Sequence, residues 1–171
     1  MTVQEAIQKR RSVRNYQEKP VEPEKLRAVL EAAALAPTAC NEQRVRVIVV
    51  TDPAVRKALR GACSNFPFVE QAPVVLAVIA DHDRLMQCGQ SSKTVDCSIA
   101  MSFMHLAAVE QGLQCCWLGA FDAPAVREIL AVPEDYVIVA LSTLGYPGDD
   151  KAAPAKKTVE EIVSCNRFGE A

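Results

Sequence analysis

Several features that would assign this chain to a large class of proteins are missing from its sequence. No apolar run approaches the roughly 20 residues needed to cross a bilayer, and residues 1–9 contain no apolar stretch typical of a signal peptide. We therefore expect a cytoplasmic protein with no membrane partner. A charge excess is also missing, because 19 Lys and Arg against 21 Asp and Glu give a net charge of −2. This balance predicts no nucleic-acid partner.

The seven cysteines form none of the patterns that a disulfide framework or a zinc site requires. Their number is odd, no C-x-x-C pair occurs, and Cys115 and Cys116 are adjacent. We therefore expect reduced cysteines and no metal. The side chains of adjacent strand residues point to opposite faces, which argues against a redox pair at 115–116, although the sequence leaves the redox activity of each cysteine open.

Nucleotide-binding and acid–base motifs are missing as well. Neither G-x-G-x-x-G nor G-x-x-x-x-G-K follows any strand-like segment, so the dinucleotide fingerprint and the P-loop are excluded. The two histidines, His82 and His105, have no matched nucleophile or metal-ligand partner in the sequence. We therefore expect structural roles for both of them.

The sequence does contain the patterning of one folded domain over residues 1–171. Half of its residues are hydrophobic, which suffices for a core. Capping and proline signals predict helices at 3–10, 23–36, 53–61 and 94–111, with short helices opening at 123 and 158. Apolar runs predict strands at 45–50, 74–80, 115–118 and 137–143, buried on both faces. The fold class is mixed α/β (α+β), with helices on both sides of about four strands.

A basic cluster follows the first predicted helix. It comprises Arg10, Arg11, Ser12 and Arg14, whose guanidinium and hydroxyl groups can surround a phosphate dianion. In an extended backbone, Ser12 and Arg14 project to the same side. Lys156 and Lys157, far along the chain, could add charge to the same site. The alternative is a solvated basic turn and a solvated loop.

Two further segments offer groups that suit a flat polar ligand. The loop at 36–43 carries the carboxamides of Asn41 and Gln43, which can both donate and accept, although an ordinary helix-to-strand connection has a similar composition. The strand ending in Trp117-Leu118-Gly119 exposes bare backbone at its glycine. The only tryptophan could line that site, but we expect its ring to fill the core.

Together and in this order, these segments resemble the FMN-dependent nitroreductase family, particularly its short members. The matching segments are R-R-S-V-R-N-Y at 10–16, A-P-T-A-C-N-E-Q at 36–43, A-P-V-V at 72–75, V-D-C-S-I-A at 95–100, L-A-A-V-E-Q-G-L-Q-C-C-W-L-G-A-F-D at 106–122, L-G-Y-P at 144–147 and K-K-T-V-E-E-I-V at 156–163. The resemblance extends over about residues 3 to 168.

The resemblance implies a three-layer sandwich with a central mixed, mainly antiparallel sheet, and an intertwined homodimer with two FMN sites at its interface. The groups implied to hold the FMN phosphate and ribityl chain are Arg10, Arg11, Ser12, Arg14, Lys156 and Lys157. Those implied to reach the flavin from the partner subunit are Pro37, Thr38, Ala39, Asn41 and Gln43. Those implied to present backbone near the flavin ring are Trp117, Leu118 and Gly119.

The activity implied by the resemblance is hydride transfer from NADH or NADPH through flavin N5 to a nitroaromatic, quinone or similar acceptor, by a ping-pong mechanism. The flavin would carry the chemistry, so no catalytic side chain is expected. Three alternatives remain: a relative with other flavin chemistry (dehydrogenation, dehalogenation or flavin cleavage), a flavin-binding protein without turnover, and a structural protein without flavin. The sequence identifies neither the physiological substrate nor the preferred nicotinamide.

Overall fold

Local capping signals place most of the helices. The computed structural model describes residues 1–170. In the first helix, the hydroxyl of Thr2 accepts the Glu5 N–H while the Glu5 carboxylate accepts the Thr2 N–H, the capping box expected from the sequence. The helices are α1 Val3–Lys9, α2 Pro23–Ala34, α3 Pro53–Ala62, α4 Pro67–Gln71, α5 Ser92–Glu110 and α6 Ala123–Ile129. The sequence did not predict α4, and α5 begins two residues early because Ser91 caps it.

The four strands form one sheet in the order β1-β2-β4-β3, and every neighbouring pair is antiparallel. Their bounds are β1 Val45–Val50, β2 Val74–Ala80, β3 Gln114–Leu118 and β4 Val137–Gly145. The first two confirm the predicted bounds, and the last two are slightly longer than predicted. A parallel contact exists only as an isolated bridge between Ser12 and Cys115 in the described chain.

Helices cover both faces of this sheet and make it the middle of three layers. The residues of β2 are buried along its whole length and alternate between two hydrophobic clusters. Val75 and Ile79 join the cluster under α3, α4 and α6, whereas Leu76 joins the cluster under α2 and α5. Adjacent strand residues must point to opposite faces, so a strand covered on both sides reads as continuously apolar. The predicted α+β sandwich is confirmed.

The predicted helix at Thr158 is wrong. Residues 159–162 form a single turn, in which the Val163 N–H donates to the Val159 carbonyl, and residues 151–170 are exposed throughout. One helical turn is not stable unless an apolar face packs against another element, and the apolar side chains of this segment are exposed. None of the helices in residues 1–170 has the length and apolarity to cross a membrane.

Candidate functional site

The segment after α1 is fastened to the outer strand β3. The Gln114 carboxamide accepts the Arg11 N–H (3.3 Å) and donates to the Lys9 carbonyl (3.1 Å). Two residues further on, the Val13 N–H donates to the Cys115 carbonyl at 3.0 Å. These bonds extend the backbone along the sheet edge, which fixes the direction in which each following side chain points.

The alternation along this edge separates core residues from site residues. Val13 is fully buried, whereas the side chains on either side of it, Ser12 and Arg14, are exposed. The sequence-based prediction that these two project to the same side is therefore confirmed.

The three arginines of the cluster have different surroundings. The Arg11 guanidinium is only 12% exposed, forms an ion pair with the Asp149 carboxylate at 2.8 Å, and donates to the Asp149 carbonyl. Arg10 and Arg14, by contrast, have no acidic partner within residues 1–170. Arg11 thus holds the loop after β4 in place, while the other two guanidinium groups keep their charge available for an anion.

The end of β3 lies beside this cluster, and the expected core role of its tryptophan is wrong. The Trp117 side chain is 38% exposed, with its ring centroid 6.2 Å from that of His105 and nearly perpendicular to it. Next to it, a Cβ built on Gly119 would meet no atom within 4 Å. The backbone at this strand end is therefore open to a ligand.

His105 supports the tryptophan from the interior. Its Nε2 lies 2.9 Å from the Ser142 hydroxyl, and the side chain is buried in α5. Burial lowers the pKa of His105 from 6.5 to about 4, and the positive charge of Arg10 acts in the same direction. The imidazole is therefore neutral at neutral pH, in agreement with the structural role expected from the sequence.

The loop between α2 and β1 has an unusual backbone. Residues Ala39–Asn41 form a 3₁₀ turn, and three non-glycine residues have left-handed φ angles: Cys40 (51°), Asn41 (56°) and Gln43 (53°). The Thr38 hydroxyl closes the loop by accepting the Gln43 N–H at 3.1 Å. Asparagine tolerates this conformation, but cysteine and glutamine adopt it at a cost. The exposed carboxamides of Asn41 and Gln43 are thus carried by a strained backbone.

Two residues that sequence reasoning missed hold this loop. Asp96 in α5 is 5% exposed, and its Oδ1 accepts the Ala39 N–H at 3.0 Å. Arg84 donates to the Cys40 sulfur at 2.9 Å and lies 3.6 Å from a carboxylate oxygen of Glu42. The signal for Asp96 was present, because a carboxylate inside an apolar helix pattern needs a partner. No pattern in the sequence predicted the contact of Arg84.

The predicted site residues fall into separate groups within one chain. The cluster at 10–14 and the strand end at 117–119 adjoin each other on β3. The loop at 37–43 precedes β1, which is the opposite outer strand, three strand spacings or about 14 Å away. Lys156 and Lys157 are exposed in the C-terminal segment and form no hydrogen bond or ion pair with the described residues. A single chain therefore presents the predicted site residues in two separate groups, which we call half-sites: the edge at 10–14 with 117–119, and the loop at 37–43.

Comparison with known proteins identifies the class to which this fold and site belong. A family model described as the nitroreductase family matches residues 7–81 and 63–146. The NADH dehydrogenase of Thermus thermophilus is 34% identical over 92% of this chain and 93% of its own length. The FMN reductase (NAD(P)H) of Bacillus subtilis is 29% identical over 89% of this chain and 68% of its own. The chain belongs to the nitroreductase family.

A solved structure agrees with this assignment. The FMN-dependent nitroreductase of Clostridium difficile R20291 superposes with a TM-score of 0.84 at 30% identity, over 95% of this chain and 98% of its own. The resemblance seen in the sequence is therefore confirmed at the level of family and fold.

Proposed function

We propose that this chain is an FMN-dependent oxidoreductase that uses NADH or NADPH to reduce a nitroaromatic, quinone or similar acceptor. The names of its relatives, an NADH dehydrogenase, an FMN reductase and an FMN-dependent nitroreductase, support this class of enzyme. When bound, FMN would supply the hydride chemistry at its N5 atom. The observation that carries the proposal is the pair of guanidinium groups without acidic partners, Arg10 and Arg14, beside the open backbone at Gly119.

The residues of this half-site fit FMN chemically. A phosphate dianion needs several donors and positive charge, and the exposed Ser12 and Arg14 offer both together with the half-buried Arg10. A flat ring needs an unobstructed surface, which the strand end at 117–119 provides. The Arg11 guanidinium is already paired with the Asp149 carboxylate. We therefore propose that Arg11 holds the loop after β4 and does not contact the phosphate directly.

The role of the protein in the reaction is binding, orientation and electrostatics. His105, whose ring centroid lies 6.2 Å from that of Trp117, is neutral, buried and hydrogen-bonded to Ser142. It is therefore not placed to deliver a proton to an acceptor. Positive charge from Arg10 and Arg14 can stabilise a negatively charged cofactor without changing protonation state. We therefore propose no essential acid or base, and one open face that nicotinamide and acceptor occupy in turn.

The first test of this function uses Trp117 as a reporter. Because it is the only tryptophan and lies at the half-site, FMN titration should quench its fluorescence with one equivalent per subunit. Anaerobic mixing with NADH or NADPH should then bleach the flavin absorbance, and double-reciprocal plots with both substrates varied should be parallel.

Each contrary outcome identifies a different alternative. A protein indifferent to FMN would overturn the proposal altogether. Bound FMN that neither nicotinamide reduces would indicate a binding protein without turnover. Reduction followed by loss of the flavin itself, or by dehalogenated products, would indicate other flavin chemistry in the same family. Intersecting plots would contradict alternate occupancy of one face.

We also propose that the working unit is a homodimer with FMN at its interface. The two half-sites lie at opposite edges of the sheet. A second copy of the chain is therefore needed to place its loop at 37–43 beside the cluster at 10–14 of the first. Apolar side chains stand exposed on two surfaces that such a partner can cover. Phe103 lines an apolar groove of about 360 Å³ between α1 and α5, and the C-terminal segment exposes Val159, Ile162, Val163 and Phe168.

The dimer is expected to persist at micromolar concentration in sedimentation velocity. An obligate interface buries more than about 2,000 Å², so dissociation should accompany unfolding. The midpoint of urea unfolding should therefore rise with protein concentration. Phe103→Glu should lower that midpoint and release FMN together. A folded monomer with bound FMN would contradict the proposal.

A further inference from the structure

The carboxyl group of Asp96 is an anomaly in the long helix α5. Its neighbours Cys97, Ala100 and Met101 are apolar and buried, and Asp96 itself is only 5% exposed. Burying such a group is unfavourable unless it is hydrogen-bonded. The Ala39 N–H supplies a hydrogen bond at 3.0 Å, and it comes from the loop at 38–43 rather than from the helix. Asp96 therefore links the central helix to that loop.

The loop needs external support because its own backbone is strained. Left-handed φ angles at Cys40, Asn41 and Gln43 are unfavourable for residues with a Cβ, and such conformations persist only where surrounding contacts impose them. Arg84 supplies the second set of contacts, to the sulfur of Cys40 and the carboxylate of Glu42. The backbone of Arg84 is itself bonded to Ser92 at the start of α5 in both directions. Asp96 thus supports the loop from within α5, and Arg84 supports it from a segment that is hydrogen-bonded to the first residue of α5.

We propose that Asp96 and Arg84 are positioning residues, which hold the loop at 38–43 in the geometry that presents Asn41 and Gln43 to the flavin. This inference rests on the proposed function, because the flavin contact of the loop is part of that proposal. Asp96 holds the loop through the Ala39 N–H, and Arg84 holds it through the Cys40 sulfur and the Glu42 carboxylate. Neither residue needs to touch the cofactor.

Asp96→Ala and Asp96→Asn separate positioning from general stability. Loss of a hydrogen bond to a charged group typically costs enough free energy for a change of tenfold or more, so Asp96→Ala should weaken FMN binding by at least about tenfold. Asp96→Asn keeps an oxygen that can accept the Ala39 N–H, and it should restore most of the affinity. A purely structural role would lower the melting temperatures of the FMN-free and FMN-bound proteins equally. A positioning role should reduce the rise in melting temperature that FMN produces.

Arg84→Ala is the second variant and decides the question if Asp96→Ala does not fold. It should weaken FMN binding several-fold and lower kcat/KM at saturating FMN. Arg44→Ala is its matched control, because Arg44 carries the same charge nearby but is paired with Asp81 at 3.6 Å rather than with residues 39–42. The control should bind FMN like the unmodified protein.

Two results have separate meanings. If Asp96→Ala or Arg84→Ala folds and binds FMN as tightly as the unmodified protein, the positioning inference is wrong while the proposed function stands. If the unmodified protein binds no FMN, the proposed function fails, and the inference fails with it.

Discussion

Replacing Arg14 by Ala is expected to weaken FMN binding about 5- to 150-fold, which corresponds to about 1–3 kcal/mol for a hydrogen bond to a charged group. The exposed guanidinium has no acidic partner in residues 1–170, so its charge is available to the phosphate of FMN. Riboflavin lacks that phosphate and should bind weakly and equally well to both proteins. Fluorescence titration of each ligand measures the effect.

Arg11→Ala is the informative comparison for this prediction. It removes the same charge three residues away, but the guanidinium of Arg11 is already paired with Asp149. We therefore expect a smaller loss of FMN affinity than for Arg14→Ala, together with a lower melting temperature of the FMN-free protein. Equal losses from the two substitutions, or equal affinities for FMN and riboflavin in the unmodified protein, would contradict the assignment.

The second large effect concerns the dependence of stability on pH. The folded protein holds the pKa of His105 at about 4, mainly by burial, against 6.5 for the free side chain. The unfolded chain therefore takes up the proton first as the pH falls. The stabilisation from the neutral imidazole is fully present above about pH 6.5 and is lost between pH 6.5 and 4. A difference of this size corresponds to about 3 kcal/mol.

Urea unfolding at fixed protein concentration from pH 7 to pH 4 tests this expectation. His105→Gln should remove about 3 kcal/mol of the pH-dependent loss, whatever its effect on stability at pH 7. His82→Gln is the matched control for the substitution, because His82 is exposed in the loop after β2. If the unmodified protein and His105→Gln lose stability in parallel, the buried imidazole is not the cause.

Much of the fold was predictable because its signals are local. The capping box of Thr2 and Glu5 and the prolines at positions 23, 53 and 124 mark helix starts through contacts within a few residues. The bounds of β1 and β2 were predicted to the residue from a near-continuous apolar run, which Arg46 interrupts in β1 and nothing interrupts in β2. The helix and strand signals also predicted helices on both sides of the sheet, and the family resemblance added the mainly antiparallel pairing of its strands.

Features that depend on surroundings were not predictable in this way. Trp117 was expected to fill the core, yet it is 38% exposed, whereas Cys116 and Leu118 on either side of it are buried. The helix at Thr158 had an acceptable sequence but no surface to pack on. Arg11 was grouped with Arg10 and Arg14 because its partner, Asp149, lies 138 residues away in the chain.

The sequence by itself determined most of the helices and strands, the family and the residue types of the half-site at 10–14, since these depend on residue types and short spacings. Only the tertiary structure decided that two of the three arginines, Arg10 and Arg14, have no acidic partner within residues 1–170, and that the buried Asp96 carboxyl accepts a hydrogen bond from the loop at 38–43. It also decided that the two half-sites stand on opposite edges of the sheet. These features depend on contacts between residues that are far apart in the sequence, and the order of the strands determines which of those residues are neighbours.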